Sequence, residues 1–133
     1  MTSKPSASLS LRIDFEDAGR LGPGKVRLLE HIGATGSISA AGRAMNMSYR
    51  RAWLLVDSLN QIFREPVVLT QAGGRSGGGA ELTPFGRALV ERYRAMEREA
   101  RRSLAGHIRA LKAAMQRSPA KPARFNRKAA PKA

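Results

Sequence analysis

Two serines eleven residues apart, Ser37 and Ser48, constrain this chain more than any other feature. Each stands just before a short run with helical periodicity. A serine hydroxyl at that position accepts a hydrogen bond from a first-turn amide that the helix leaves unpaired. After Ser37 the run ISAAGRAM puts Ile38, Ala41 and Met45 on one face, and Asn46 and Met47 interrupt the pattern only briefly. After Ser48 the spacing predicts a helix from about Tyr49 to Phe63. Its inward stripe is Ala52, Leu55, Val56, Leu59 and Ile62, and Arg50, Arg51, Asp57, Ser58 and Gln61 point outward. Two short helices around so tight a turn, with Ala40, Ala41 and Gly42 small enough for close approach, match a helix-turn-helix. In that layout the start of the second helix meets base edges in the major groove, which would place Ser48, Tyr49, Arg50 and Arg51 there. Arginine suits the position because its planar fork donates two hydrogen bonds to guanine O6 and N7. The plainer alternative is a three-helix core whose arginines form a solvated face.

The flanking segments complete a recognisable unit. Leu9, Leu11, Ile13 and Phe15 alternate with polar residues, the period of a half-buried strand. After the turn-rich LGPG, the run KVRLLEHIG places Val26, Leu29 and Ile32 at helical spacing, and Gly33 and Gly36 punctuate its end. Beyond Phe63, PVVLT and AELT are short strand candidates joined by a glycine-dense loop with Arg75 and Ser76 at its tip, the pattern of a wing. Such a tip can lie along a phosphate backbone or reach into a minor groove; a hairpin without DNA contact is the alternative. The loop lacks the Lys-Ser/Thr that a phosphate-binding loop needs. Trp53 is expected to pack between the third helix and this hairpin.

Thr83 followed by Pro84 is a helix start, a capping side chain with proline where its missing amide costs nothing. From Phe85 through Leu89, Tyr93, Met96, Ala100, Leu104, Ile108 and Leu111 to Met115 an apolar residue recurs every three or four positions. A helix of roughly 30 residues would be about 45 Å long, more stripe than one small domain covers. A second copy of the chain is the expected cover, which assigns Leu89, Tyr93, Met96, Ala100, Leu104, Ile108 and Leu111 to dimerisation. A break near Gly106 that folds the helix back is the alternative. The fold class is thus mainly α with a small β component, a winged helix-turn-helix with a long C-terminal dimerisation helix. Its folded part is 8–116, between a flexible N-terminus at 1–7 and a disordered basic tail at 117–133.

Charge decides the partner. The 133 residues carry a net charge of +14, and removing the six tail cations leaves +8 on residues 1–116. The body is therefore basic in its own right, which favours a polyanion. No stretch is apolar enough for a membrane span, so double-stranded DNA is preferred over a membrane. There is no cysteine, which fits a cytoplasmic location and excludes disulfides and thiolate metal sites. His31 and His107 lie far apart and no HExxH or paired-carboxylate motif occurs, so neither catalytic nor metal residues are expected. Glu91 with Arg94, Glu97 with Arg101 and Glu99 with Arg102 are spaced as solvated helix pairs. A nonspecific nucleoid-type or RNA binder, and an adaptor whose long helix docks a partner, are the rival classes.

The run LGPGKVRLLEHIGATGSISAAGRAMNMSYRRAWLLVDSLNQIFREPVV, the loop GGRSGGGAELT and the following LTPFGRALVERY resemble the N-terminal DNA-binding domain of ModE-type molybdate-responsive regulators, over about residues 9 to 100. The helix-turn-helix is also similar to that of the LysR-type group. The resemblance implies a dimer on operator DNA, with Ser37, Ser39, Ser48, Tyr49, Arg50, Arg51 and the wing at Arg75 facing it, and regulation by molybdate. Full-length members continue into C-terminal oxyanion-binding modules, whereas this sequence continues into the basic tail. The expectation is therefore no directly bound cofactor, with molybdate as an effector only through the resemblance. A constitutive DNA binder, a DNA-binding half whose sensor is a separate protein, and an oxyanion site of another kind stay open.

Overall fold

The computed structural model describes residues 6–71 and 79–116. In chain order the elements are β1 (Ile13–Asp14), β2 (Arg20–Leu21), α1 (Pro23–Thr35), α2 (Ile38–Ala44), α3 (Tyr49–Ile62), β3 (Val68–Gln71), β4 (Gly79–Leu82) and α4 (Pro84–Ala113). Both sheets are two-stranded and antiparallel. β1 and β2 pair Ile13 with Leu21 and Asp14 with Arg20; β3 and β4 pair Val68 with Leu82 through to Gln71 with Gly79. The fold is mainly helical with a small β component, as the sequence predicts. The tail from residue 117 and residues 1–5 of the N-terminus lie outside the described residues.

The first strand is shorter than its alternation suggests. Leu9, Leu11, Ile13 and Phe15 are half-buried while Ser10, Arg12 and Asp14 are exposed, but only Ile13 and Asp14 find a partner strand. Glu16 at φ 51° and Gly19 at φ 139° reverse the chain at once. The amide of Phe15 donates to Gly19 O at 2.7 Å across the reversal. Only two rungs fit before Gly22 and Pro23 start α1. The partner, Arg20–Leu21, has too little length to show any periodicity of its own.

The unit Leu9–Ala100 has one core, formed by Leu21, Val26, Leu28, Leu29 and Ile32 with Ile38, Ala41, Ala52, Val56, Leu59, Val67, Val68, Ala80, Leu82 and Tyr93. Phe15, Phe63 and Phe85 pack along its margin edge to face, with centroids 5.4 Å apart at each step. This geometry suits rings whose edges are positive and faces negative. Helix α1 ends on Gly36 in the left-handed region at φ 72°, its amide bonded to Ile32 O, the ending that glycine makes without a steric cost.

The backbone of Pro66–Val68 joins α3, the wing and α4. Asn60 of α3 accepts from the amides of Val67 (2.7 Å) and Val68 (3.3 Å) through Oδ1, and donates through Nδ2 to Val68 O. The buried Thr83 hydroxyl donates to Pro66 O at 2.7 Å and accepts from the amide of Gly86 at 2.8 Å, so one side chain caps α4 and ties it to β3. Gly86 is required for that approach, because a Cβ there would lie 2.2 Å from Val67 O. The Thr83-Pro84 start read from the sequence is therefore both a cap and a tertiary contact.

Helix α4 departs from the pattern of solvated pairs. Arg94, spaced to meet Glu91, instead forks onto Glu30 of α1, with Nη2 2.7 Å from Oε1 and Nε 3.0 Å from Oε2. Its Nη1 lies 2.7 Å from Glu97 Oε1, and Glu97 is buried rather than solvated. Tyr93 requires a correction of the same kind. The stripe assigns it to a dimer face, but only 1% of it is exposed and its hydroxyl donates to Leu11 O at 2.7 Å. The ring belongs to the core of its own chain.

A compact unit ends at Ala100, and a second begins at Arg101 within α4. Residues 101–116 include no buried side chain: Leu104, Leu111 and Met115 are exposed and Ile108 is half-buried.

Two outcomes test this account. Gly86→Ala forces a methyl into a backbone oxygen and should cost about 1–3 kcal/mol in urea unfolding, whereas Gly24→Ala, with nothing within 4 Å of the added atom, should cost nothing measurable. The hydrogen bond from Arg94 holds the Glu30 carboxyl below its ordinary value of 4.5. The stability it contributes is present above that value and is lost as pH falls through the lower folded-state value. Thermal melts across pH 2–6 should show Glu30→Gln flattening the acid limb; an unchanged limb would assign it to other carboxylates.

Candidate nucleic-acid interface

The α2–α3 turn is built by local chemistry. The amides of Met45 and Met47 both bond to Gly42 O, at 3.0 and 2.9 Å. Asn46 between them sits in the left-handed region at φ 58°, which asparagine tolerates better than most residues. A Cβ on the buried Gly42 would approach Ala52 Cβ to 3.2 Å, so the two helices meet where the sequence places its smallest side chains. Both serines cap as expected. Ser37 Oγ accepts from the amide of Ala40 at 3.0 Å, and Ser48 Oγ from that of Arg51 at 3.1 Å. Each hydroxyl keeps its proton to donate elsewhere.

The structure gathers Ser48, Tyr49, Arg50 and Arg51 on the exposed first turn of α3. Neither arginine has a side-chain hydrogen bond or ion pair among the described residues. Two cations without counter-ions at a helix N-terminus, where the helix dipole is already positive, favour an external anion. On α2, Ser39 Oγ accepts from Arg43 Nη1 at 2.8 Å, which commits that serine to its own helix. Trp53 is half-buried against the core, and its indole N–H donates to the Tyr49 hydroxyl. Tyr49 is 55% exposed, so this bond stiffens a ring on the open face. Arg75 and Ser76, expected at the wing tip, lie outside the described residues; the paired strands reach Gln71 and Gly79 on either side.

Spacing alone leaves two features of the site unseen. Asn60 holds α3 to β3 but reads as one more polar residue on a helix. Arg51 also lines a cleft together with Arg12, Arg20 and Lys25, which lie 26 or more positions earlier. The only hint in the sequence is that Arg20 and Lys25 flank the LGPG turn. No cluster of three or more potential metal ligands occurs among the described residues, and none of their helices is long and apolar enough to cross a membrane.

Elements in this order, with a capped α2–α3 pair, a β3–β4 hairpin and a long helix after it, define a winged helix-turn-helix. No protein-family model matches the chain. Among curated proteins it is 44% identical to the molybdenum transport protein ModE of Azotobacter vinelandii over 93 residues, 70% of this chain and 34% of that protein. It is 49% identical to the molybdenum-pterin-binding protein MopB of Rhodobacter capsulatus over 78 residues, 59% of this chain and 29% of that one. With the DNA-binding transcriptional dual regulator ModE of Escherichia coli it shares 38% identity over 71 residues, 53% and 27% of the two. Over the matched segment the chain carries a ModE-like domain, and it spans about a third of the length of these relatives.

Replacing Ser48 with alanine leaves the amide of Arg51 without its partner. The expected loss is about 1 kcal/mol in unfolding experiments, with Ser39→Ala, which caps nothing, as the comparison.

Proposed function

We propose that this chain is a sequence-specific DNA-binding regulator that reads operator DNA through the first turn of α3. The observation that carries the reading is the exposure of Arg50 and Arg51 without counter-ions on a helix start held rigid by the Ser48 cap and the Gly42–Ala52 contact. Fixed geometry is what separates base readout from simple attraction to phosphates. The name of the Escherichia coli relative, a DNA-binding transcriptional regulator, supports the same reading. The molybdenum in the names of the others makes molybdenum-linked regulation the first context to examine.

The reading includes a dimer. On α4, Leu89 and Met96 line an open apolar groove of about 680 Å³ with Ile13, Phe15, Phe63 and Phe85, and further along the helix Leu104 and Leu111 are 37% and 70% exposed. A second copy offers the same apolar surface in return, and helix-turn-helix dimers set their reading heads about 34 Å apart. Leu89, Met96, Ala100, Leu104, Ile108 and Leu111 remain its proposed contacts; Tyr93 does not.

Selection of duplexes from a random pool by the full chain, with and without molybdate, should enrich an inverted repeat, and Arg50→Ala with Arg51→Ala should remove the preference for it. Trp53, the single tryptophan, reports the event by fluorescence because it is bonded to Tyr49 on the same turn. No enriched sequence would favour a nonspecific binder. Unchanged discrimination by the double variant would move the reading surface elsewhere, and enrichment that changes with molybdate would make this chain a direct sensor.

A further inference from the structure

The cleft shared by Arg51 and the N-terminal hairpin gathers four cations. It has a volume of about 280 Å³, and its walls bring Arg12 beside β1, Arg20 of β2 and Lys25 in the first turn of α1 against Met45 and Met47 of the α2–α3 turn. Among the described residues that line it, none is acidic. Asp14 meets Arg12 at 3.0 Å and Arg20 at 4.0 Å from outside the lining, so one carboxylate stands against two guanidinium groups. Among the described residues Lys25 has no carboxylate partner. Its ammonium donates to the backbone oxygen of Arg20 at 2.8 Å. Partial burial, and to a lesser extent the charge of Arg20, hold Lys25 below the ordinary lysine range.

We infer that this cleft is a second DNA contact, in which Arg12, Arg20 and Lys25 grip backbone phosphates flanking the bases that Arg50 and Arg51 read. The inference rests on the proposed function for its partner. The connection is Arg51 itself, which belongs both to the reading turn of α3 and to the cleft wall. A duplex seated against that turn passes the cleft, and its phosphates supply the missing negative charge. Base edges are not required there. Two of the three cations stand on a two-rung hairpin and next to it, and both are exposed. Such exposed cations hold a register on the backbone rather than specify a sequence.

The test compares the full chain with Arg12→Gln/Arg20→Gln/Lys25→Gln, substitutions that keep hydrogen-bonding capacity. A control removes three exposed cations from α4, Arg98→Gln/Arg102→Gln/Arg109→Gln. Binding of the selected duplex and of a random duplex is measured across salt concentrations, with thermal melts to confirm that each variant is folded. The hairpin variant should lose about tenfold or more in affinity for both duplexes alike, with the salt slope shallower by about two to three and the ratio between duplexes preserved. It should also lose ethylation interference at phosphates outside the region read by α3. An effect no larger than that of the α4 control would overturn the inference. So would a loss confined to the selected sequence, which would make these residues base readers. If the unaltered chain fails to discriminate between duplexes, the proposed function falls, while the comparison on random duplex still decides whether the cleft holds phosphate.

Discussion

Three backbone residues, Pro66 to Val68, are the point at which the elements of this fold are tied together. The amides of Val67 and Val68 are held by Asn60 near the end of α3, and the Pro66 carbonyl by the Thr83 hydroxyl at the start of α4. Gly86 lets α4 approach to a distance that any side chain would forbid. Buried amides and carbonyls left unpaired would each cost free energy comparable to a lost hydrogen bond. The helix that carries the candidate reading surface, the strand that leads into the wing and the long helix are therefore held by one connected set of hydrogen bonds.

A second tie works from the other side of the core. Arg94 joins Glu30 on α1 to Glu97 on α4, while Tyr93 reaches back to Leu11. These bonds fix α1 and α4 to one another beside the α2–α3 pair. Rigidity matters for base readout, because a guanidinium fork discriminates only if its direction is set before it meets the base edge. The caps at Ser37 and Ser48 serve the same end on a smaller scale. The phosphate contacts proposed for the hairpin cations need no such precision, since phosphates present similar oxygens along the whole duplex.

Much of the candidate reading surface is legible in the residues. Ser48, Tyr49, Arg50 and Arg51 fall on one exposed turn because a cap and a 3.6-residue period are local properties, and the elements α1 to α4 follow from the same kind of signal. The alternation from Leu9 to Phe15 shows which side is buried but not how much of it pairs, because pairing depends on where Glu16 and Gly19 turn the chain. The stripe on α4 was uniform by spacing, yet its residues divide. Tyr93 is covered by the body of its own chain, Leu89 and Met96 line an open groove, and Leu104 and Leu111 are exposed.

The sequence by itself determined the helices, their caps, the tight turn and the basic surplus, because each is set by neighbours within a few positions or by composition. Only the tertiary structure decided that Asn60 clamps β3, that Arg94 meets Glu30 rather than Glu91, and that Arg12, Arg20 and Lys25 meet Arg51 in one cleft. Those contacts join residues from 7 to 64 positions apart. They depend on the angles at which helices dock, and those angles come from packing the whole core at once, which no local period contains.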